Sequence, residues 1–81
     1  MQRFIVTGGN RGLGFALARH IAATPDAEVV LAVRDPDSGR RAAQEIGANA
    51  SVMELDLADG ASVNRFAEAV DGPVAGLVNN A

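Results

Sequence analysis

Cysteine, tryptophan, tyrosine and lysine are absent from this chain of 81 residues, and histidine occurs once. Without cysteine, neither disulfides nor thiolate metal sites can brace the fold, and one histidine cannot make a zinc site alone. The redox compartment is therefore left open. Basic residues number seven against ten acidic ones, for a net charge of −3. They are scattered rather than gathered into the stripe that holds a nucleic-acid backbone. Any anion must be gripped locally. No apolar stretch approaches the roughly 20 residues needed to span a bilayer. The chain enters an apolar run almost at once, with no charged-then-hydrophobic leader, so the expectation is cytoplasmic with no membrane partner.

What is present suits one small domain. Apolar residues make up 48% of the chain and charged residues 21%, the balance of a soluble globular protein rather than a disordered one. A chain this short buries only about 60% of the surface it exposes when unfolded, so its stability is marginal.

Arg3 to Thr7 reads as a short buried strand, β-branched and aromatic, with glycines behind it. Gly8 to Gly12 forms a turn. From Leu13 to Ala23, the residues Leu13, Leu17 and Ile21 recur every four positions with Ala16 beside them, which predicts one face of a helix stopped by Thr24-Pro25-Asp26. His20, on this helix, is expected to be partly exposed and without a catalytic role. Val29 to Val33 is a continuous apolar run, as in a strand covered on both faces. Asp35-Pro36 then predicts an N-cap followed by proline at the first helical position, with a helix to Ile46 and Gly47 as its left-handed stop. A third strand is expected over Ser51 to Leu57, interrupted by Glu54 and Asp56. Asp59 caps a third helix in which Val63, Phe66, Ala67 and Val70 share a face, ended by Gly72-Pro73. Val74 to Val78 is the fourth strand, followed by Asn79-Asn80-Ala81.

This β-α-β-α-β-α-β order implies an α/β fold with a doubly wound parallel sheet built through right-handed crossovers, in strand order 3-2-1-4. The first two helices then cover one face and the third helix the other. That second face is short of a helix, and the fourth strand keeps an open edge.

The stretch VTGGNRGLG, residues 6 to 14, holds four glycines and one arginine directly after the first strand. A chain leaving a parallel strand must turn sharply into a helix whose first amides have no partners within that helix. Glycines there allow the tight turn, the close approach of a pyrophosphate to backbone nitrogen, and close packing of helix on strand. Gly8, Gly12 and Gly14 are placed for those roles, spaced Gly-x3-Gly-x-Gly.

That spacing, with Thr7 before it, resembles the Thr-Gly-x3-Gly-x-Gly loop of the short-chain dehydrogenase/reductase family. Asn79-Asn80-Ala81 matches the first three residues of the family's Asn-Asn-Ala-Gly motif, and Asp56-Leu57 is similar to its acidic position at the end of the third strand. The run VVLAVRD at the second strand looks most like carbonyl reductase-like or retinol dehydrogenase-like members. The resemblance covers essentially all 81 residues. It implies an incomplete Rossmann-type sheet, the N-terminal dinucleotide-binding segment of a domain truncated before its catalytic half. It also implies that the Leu13 amide meets the pyrophosphate and that Asn10 and Arg11 lie near the adenosine ribose. By the same resemblance Asp56 bonds the adenine amino group, the Leu57 backbone borders the ring, and Asn79 offers its main-chain carbonyl to the cofactor ribose. Asn80 is expected to be structural. Taken by itself, Asp56 also suits a solvated strand end or a helix-entry residue.

In dinucleotide-binding folds an acid about 20 residues beyond the glycine loop binds the ribose 2′-hydroxyl, whereas an arginine nearby accommodates a 2′-phosphate. Counting from Gly14 reaches Val33 and Arg34. Arg34 and Arg11 together offer two guanidiniums to one phosphate, which fork onto its oxygens through charge-assisted hydrogen bonds. The cofactor favoured is NADP(H) over NAD(H). The alternative for Arg34 is a solvated residue paired with Asp35 or Asp37.

Members of the family use a tyrosine, a lysine four residues later and a serine, all downstream of Asn-Asn-Ala-Gly, to handle the proton of the reacting carbonyl or alcohol. No catalytic residue is therefore assigned here, and the chain alone is expected to be inactive. A non-catalytic nucleotide-binding or interaction module, self-associating or pairing with another chain through its open fourth strand, is the competing reading.

Overall fold

The structure is a computed structural model and describes residues 1–80. Along the chain run β1 (Gln2–Thr7), α1 (Gly12–Ala22), β2 (Ala27–Val33), α2 (Pro36–Ile46), β3 (Ala50–Glu54), α3 (Gly60–Ala69) and β4 (Gly76–Asn79). The strands form one parallel sheet in the order β3-β2-β1-β4. The doubly wound α/β arrangement implied by the element order is the one observed.

Alternation along the central strands builds two cores, because successive side chains of a strand point to opposite faces. Val6, Val29, Leu31 and Val33 meet Ala18 of α1 and Ala42 and Ala43 of α2 on one face. On the other, Ile5, Val30 and Ala32 join Leu55, with Phe66 and Val70 packed against them. Complete burial of a side chain such as Leu31 contributes about 1.5–3 kcal/mol. The second face is thinly covered: Ser62 is the one buried residue of α3, and Val63 and Ala67, expected to face the sheet, are exposed. Arg3 braces this side, its Nε bonding Glu28 at 2.9 Å and its guanidinium also donating to the Asp71 carbonyl.

Four expectations are corrected by the structure. On α1 the residues driven into the sheet are Gly14 and Ala18, whereas Leu13 is 70% exposed and Ala16 is exposed. The cause is close approach: a Cβ on Gly14 would lie 2.6 Å from the Gly8 carbonyl oxygen, so no side chain fits at that position, while Ile21 of the expected face does pack against the core beside Phe15. Next, β3 ends at Glu54 rather than Leu57, which places Asp56 and Leu57 in the loop leading to α3. Finally, Gly47 ends α2 at φ 134° and ψ −167°, a glycine-favoured conformation outside the left-handed helical well. The last strand is also shifted, from the expected 74–78 to Gly76–Asn79.

Candidate functional site

All four strands run parallel and their carboxyl ends share one edge of the sheet, where the direction of winding reverses between β1 and β4. Ligands of open α/β sheets bind in the crevice beyond such strand ends. A cleft of about 870 Å³ lies there. Three segments line it: Gly8 and Asn10 to Leu13 after β1, Arg34 with Asp35 after β2, and Leu55 to Ala58 after β3.

The glycine loop is shaped by two residues with positive φ, Gly8 at 65° and Gly12 at 61°. An L side chain in that region is strained, by roughly 1–2 kcal/mol per residue. The space above Gly12 is open, since a Cβ built there would meet nothing within 4 Å. Arg11 stands at the N-cap of α1 in extended backbone and makes no side-chain cap, so the first turn of that helix has no side-chain acceptor from its own cap residue. Gly9 supports the loop from beneath, where a Cβ would approach Leu31 Cδ2 to 2.8 Å. No periodicity in the sequence pointed to Gly9; its role comes from how closely the loop lies on β2.

Hydrogen bonds fix the loop on two sides. Asn10 Nδ2 donates to Ser38 Oγ at 3.0 Å, tying it to the first turn of α2. The Asn80 amide donates to Thr7 Oγ1 at 2.8 Å, and Asn80 Nδ2 reaches the Gly8 carbonyl at 3.4 Å. Thr7 in turn donates toward the Val78 carbonyl and Asn79 Oδ1, both at 3.3 Å. This cluster joins the carboxyl ends of β1 and β4, which pair Thr7 with Asn79 in register.

Arg11 and Arg34 line the same cleft. Among the described residues neither forms an ion pair, although acids lie close in sequence: Asp35 caps α2 by accepting from the Asp37 amide at 3.1 Å, and Asp37 pairs with Arg40. Asp56 borders the cleft from the opposite loop, and its Oδ1 accepts from the Ala58 amide at 3.0 Å. Leu13 and Leu57, two of the chain's exposed large apolar side chains, line the cleft as well.

Of the residues singled out from sequence, Gly8, Asn10, Arg11, Gly12, Leu13, Arg34, Asp56 and Leu57 are brought together here, while Gly14 and Asn79 lie outside the lining. Gly14 packs α1 onto Gly8 and Asn80, and Asn79 sits at the end of β4. Ala81 lies outside the described residues. Ser38, Ala58 and Asn80 are among the other residues of the lining. Ser38 was missed because a serine in the first turn of a helix carries no signal until its partner, 28 positions away, is known. His20 is exposed on α1 and outside this lining.

The family model described as short chain dehydrogenase matches residues 2–81. The chain belongs to this family. Among curated relatives, the "Probable oxidoreductase" of Streptomyces lividans is 44% identical over 84 aligned residues, covering 99% of this chain and 28% of that protein. The carbonyl reductase (NADPH) 3 of Mus musculus is 35% identical, over 95% of this chain and 30% of its own length. Among solved structures, the Pseudomonas aeruginosa RhlG/NADP active-site complex superposes with a TM-score of 0.86 at 30% identity, covering 99% of this chain and 34% of that one. The chain thus spans about a third or less of the length of these relatives. No helix among the described residues is long and apolar enough to cross a membrane.

Proposed function

We propose that residues 1–81 form the N-terminal dinucleotide-binding segment of an NADP(H)-dependent oxidoreductase, one that moves hydride between the cofactor and a carbonyl or alcohol. The observation that carries this reading is the placement of Arg11 and Arg34 on one cleft with the glycine loop, both without an ion-pair partner among the described residues. Two permanent cations facing an open crevice suit a phosphate better than the hydroxyl it replaces in NAD(H). The cleft's volume is within the range of small-molecule sites, about 300–1,000 Å³. The open space above Gly12 fits a pyrophosphate drawn against backbone amides.

On this reading the Leu13 amide and its neighbours receive the pyrophosphate, Asn10 and Arg11 border the ribose, and Arg34 takes the 2′-phosphate together with Arg11. Asp56 accepts from the adenine amino group, the Leu57 backbone borders the ring, and Asn79 offers its main-chain carbonyl to the cofactor ribose. The bound cofactor supplies or accepts the hydride. This segment holds and orients it, and no residue in it is assigned acid–base work, so the chain alone binds without turnover. The names of carbonyl reductase (NADPH) 3 and the RhlG/NADP complex support NADP(H) over NAD(H).

Titrating the chain with NADPH and with NADH, with circular dichroism on the same sample, tests the proposal. Tighter binding of NADPH to folded chain supports it; equal binding removes the phosphate assignment. A second reading, a module that pairs through its sheet edge, is favoured by β4, which is bonded to β1 alone among the described strands and carries Leu77 at 63% exposure.

A further inference from the structure

Asp56 is held more completely than its place in a loop requires. Its amide donates to Ser62 Oγ at 2.9 Å, its carbonyl accepts from the Asp59 amide at 3.0 Å, and its Oδ1 accepts from the Ala58 amide at 3.0 Å. The residue before it is equally fixed, because Leu55 is buried and its amide donates to the Val33 carbonyl at 2.8 Å. Among the described hydrogen bonds, only the second carboxylate oxygen of Asp56 is left uncommitted, on a residue that lines the cleft.

Ser62 stands at the root of this arrangement. It is 2% exposed and is the only buried residue of α3, a helix that otherwise packs lightly. Burying a hydroxyl costs free energy unless it is hydrogen-bonded, and this hydroxyl is bonded. The bond that Ser62 makes is to the backbone of the cleft's carboxylate. Through it the position of α3 fixes the peptide that carries Asp56, and the Ala58 amide then fixes the rotation of the carboxylate.

We propose that Ser62 is the positioning residue that orients the Asp56 carboxylate toward the base of the bound nucleotide, and so sets selectivity for a base carrying an exocyclic amino group. This rests on the proposed role of Asp56 toward adenine. An amino group donates to a carboxylate oxygen held in place, whereas a carbonyl at the same ring position sets two acceptors against each other. A carboxylate whose peptide is free to shift relaxes that discrimination.

The test compares NADPH with its hypoxanthine analogue, reduced nicotinamide hypoxanthine dinucleotide phosphate, by equilibrium titration of the chain and its variants. Wild type is expected to prefer NADPH by about tenfold or more, the scale of a hydrogen bond to a charged group. Asp56→Asn is expected to collapse the preference, because its amide offers both donor and acceptor. Ser62→Cys, which keeps the volume but offers a poor acceptor, is expected to lower the ratio to about threefold or less, with Ser62→Ala doing the same and Ser62→Thr restoring it. Because the readout is a ratio of two affinities in one variant, a loss of stability alone leaves it unmoved. If Asp56→Asn keeps the wild-type ratio, the adenine role of Asp56 fails and this proposal falls with it. A collapse in Asp56→Asn with an unchanged ratio in Ser62→Cys overturns the role of Ser62 alone.

Discussion

Asn10 Nδ2 lies 3.0 Å from Ser38 Oγ, so the loop after β1 and the first turn of α2 are joined by one side-chain hydrogen bond across the mouth of the cleft. Both residues are half-buried. Ser38→Ala leaves the Asn10 amide without this acceptor, and the expected cost is about 0.5–1.5 kcal/mol of stability. A lower urea midpoint at unchanged slope reports it; an unmoved midpoint means the bond adds nothing to the folded state.

Two glycines separate crowding from backbone freedom. Gly14→Ala places a methyl 2.5 Å from Asn80 Nδ2 and 2.6 Å from the Gly8 carbonyl oxygen, and the backbone oxygen cannot swing away. The expected loss is about 1–3 kcal/mol. Gly60→Ala, at the start of α3, meets nothing within 4 Å and has no positive φ, so it is expected to gain about 0.4–1 kcal/mol by restricting the unfolded chain. Thermal melts of the two variants should move in opposite directions, and a shared direction contradicts the packing of α1 described above.

The observed face of α1 predicts which leucine matters. Leu13→Ala, at a side chain 70% exposed, is expected to change stability by no more than about 0.5 kcal/mol. Leu31→Ala, at a fully buried one, is expected to cost about 2–5 kcal/mol. Denaturant titration distinguishes them, and a large loss at Leu13 restores the helix face read from the four-residue spacing.

That spacing shows where the sequence was legible and where it was not. Element order and strand order follow from runs such as Val29 to Val33 and from glycine and proline punctuation, which are local signals that the parallel sheet obeys. The inward face of α1 is a tertiary fact. Of the hydrophobic stripe Leu13, Leu17 and Ile21, Ile21 does pack against the core, but near Gly14 the distance between helix and strand is set by the Gly8 carbonyl, and Gly14 and Ala18 are the residues buried there. The cleft was legible wherever a residue type declares its chemistry, as with Arg34 or Asp56. Gly9, Ser38 and Ser62 declare theirs only through partners: Leu31, Asn10 and the Asp56 amide.

Exposed Leu77 on the unpaired side of the sheet carries a prediction for association. Edge strands with apolar side chains and open backbone groups invite pairing with another chain, and an inserted lysine opposes it. Leu77→Lys is expected to shift the chain toward monomer in sedimentation velocity at equal concentration. The same distribution for both proteins would show that this edge takes no part in self-association.

The two arginines of the cleft give the most direct measurement. Replacing Arg34 by aspartate turns an attraction for the 2′-phosphate into a repulsion while leaving the glycine loop untouched, so calorimetric titration of wild type and Arg34→Asp with NADPH and NADH separates the phosphate from the rest of the cofactor. The account predicts a loss of NADPH affinity of about tenfold or more, the scale of one charge-assisted hydrogen bond, with NADH binding held or improved. An equal loss for both cofactors, or none for either, contradicts it.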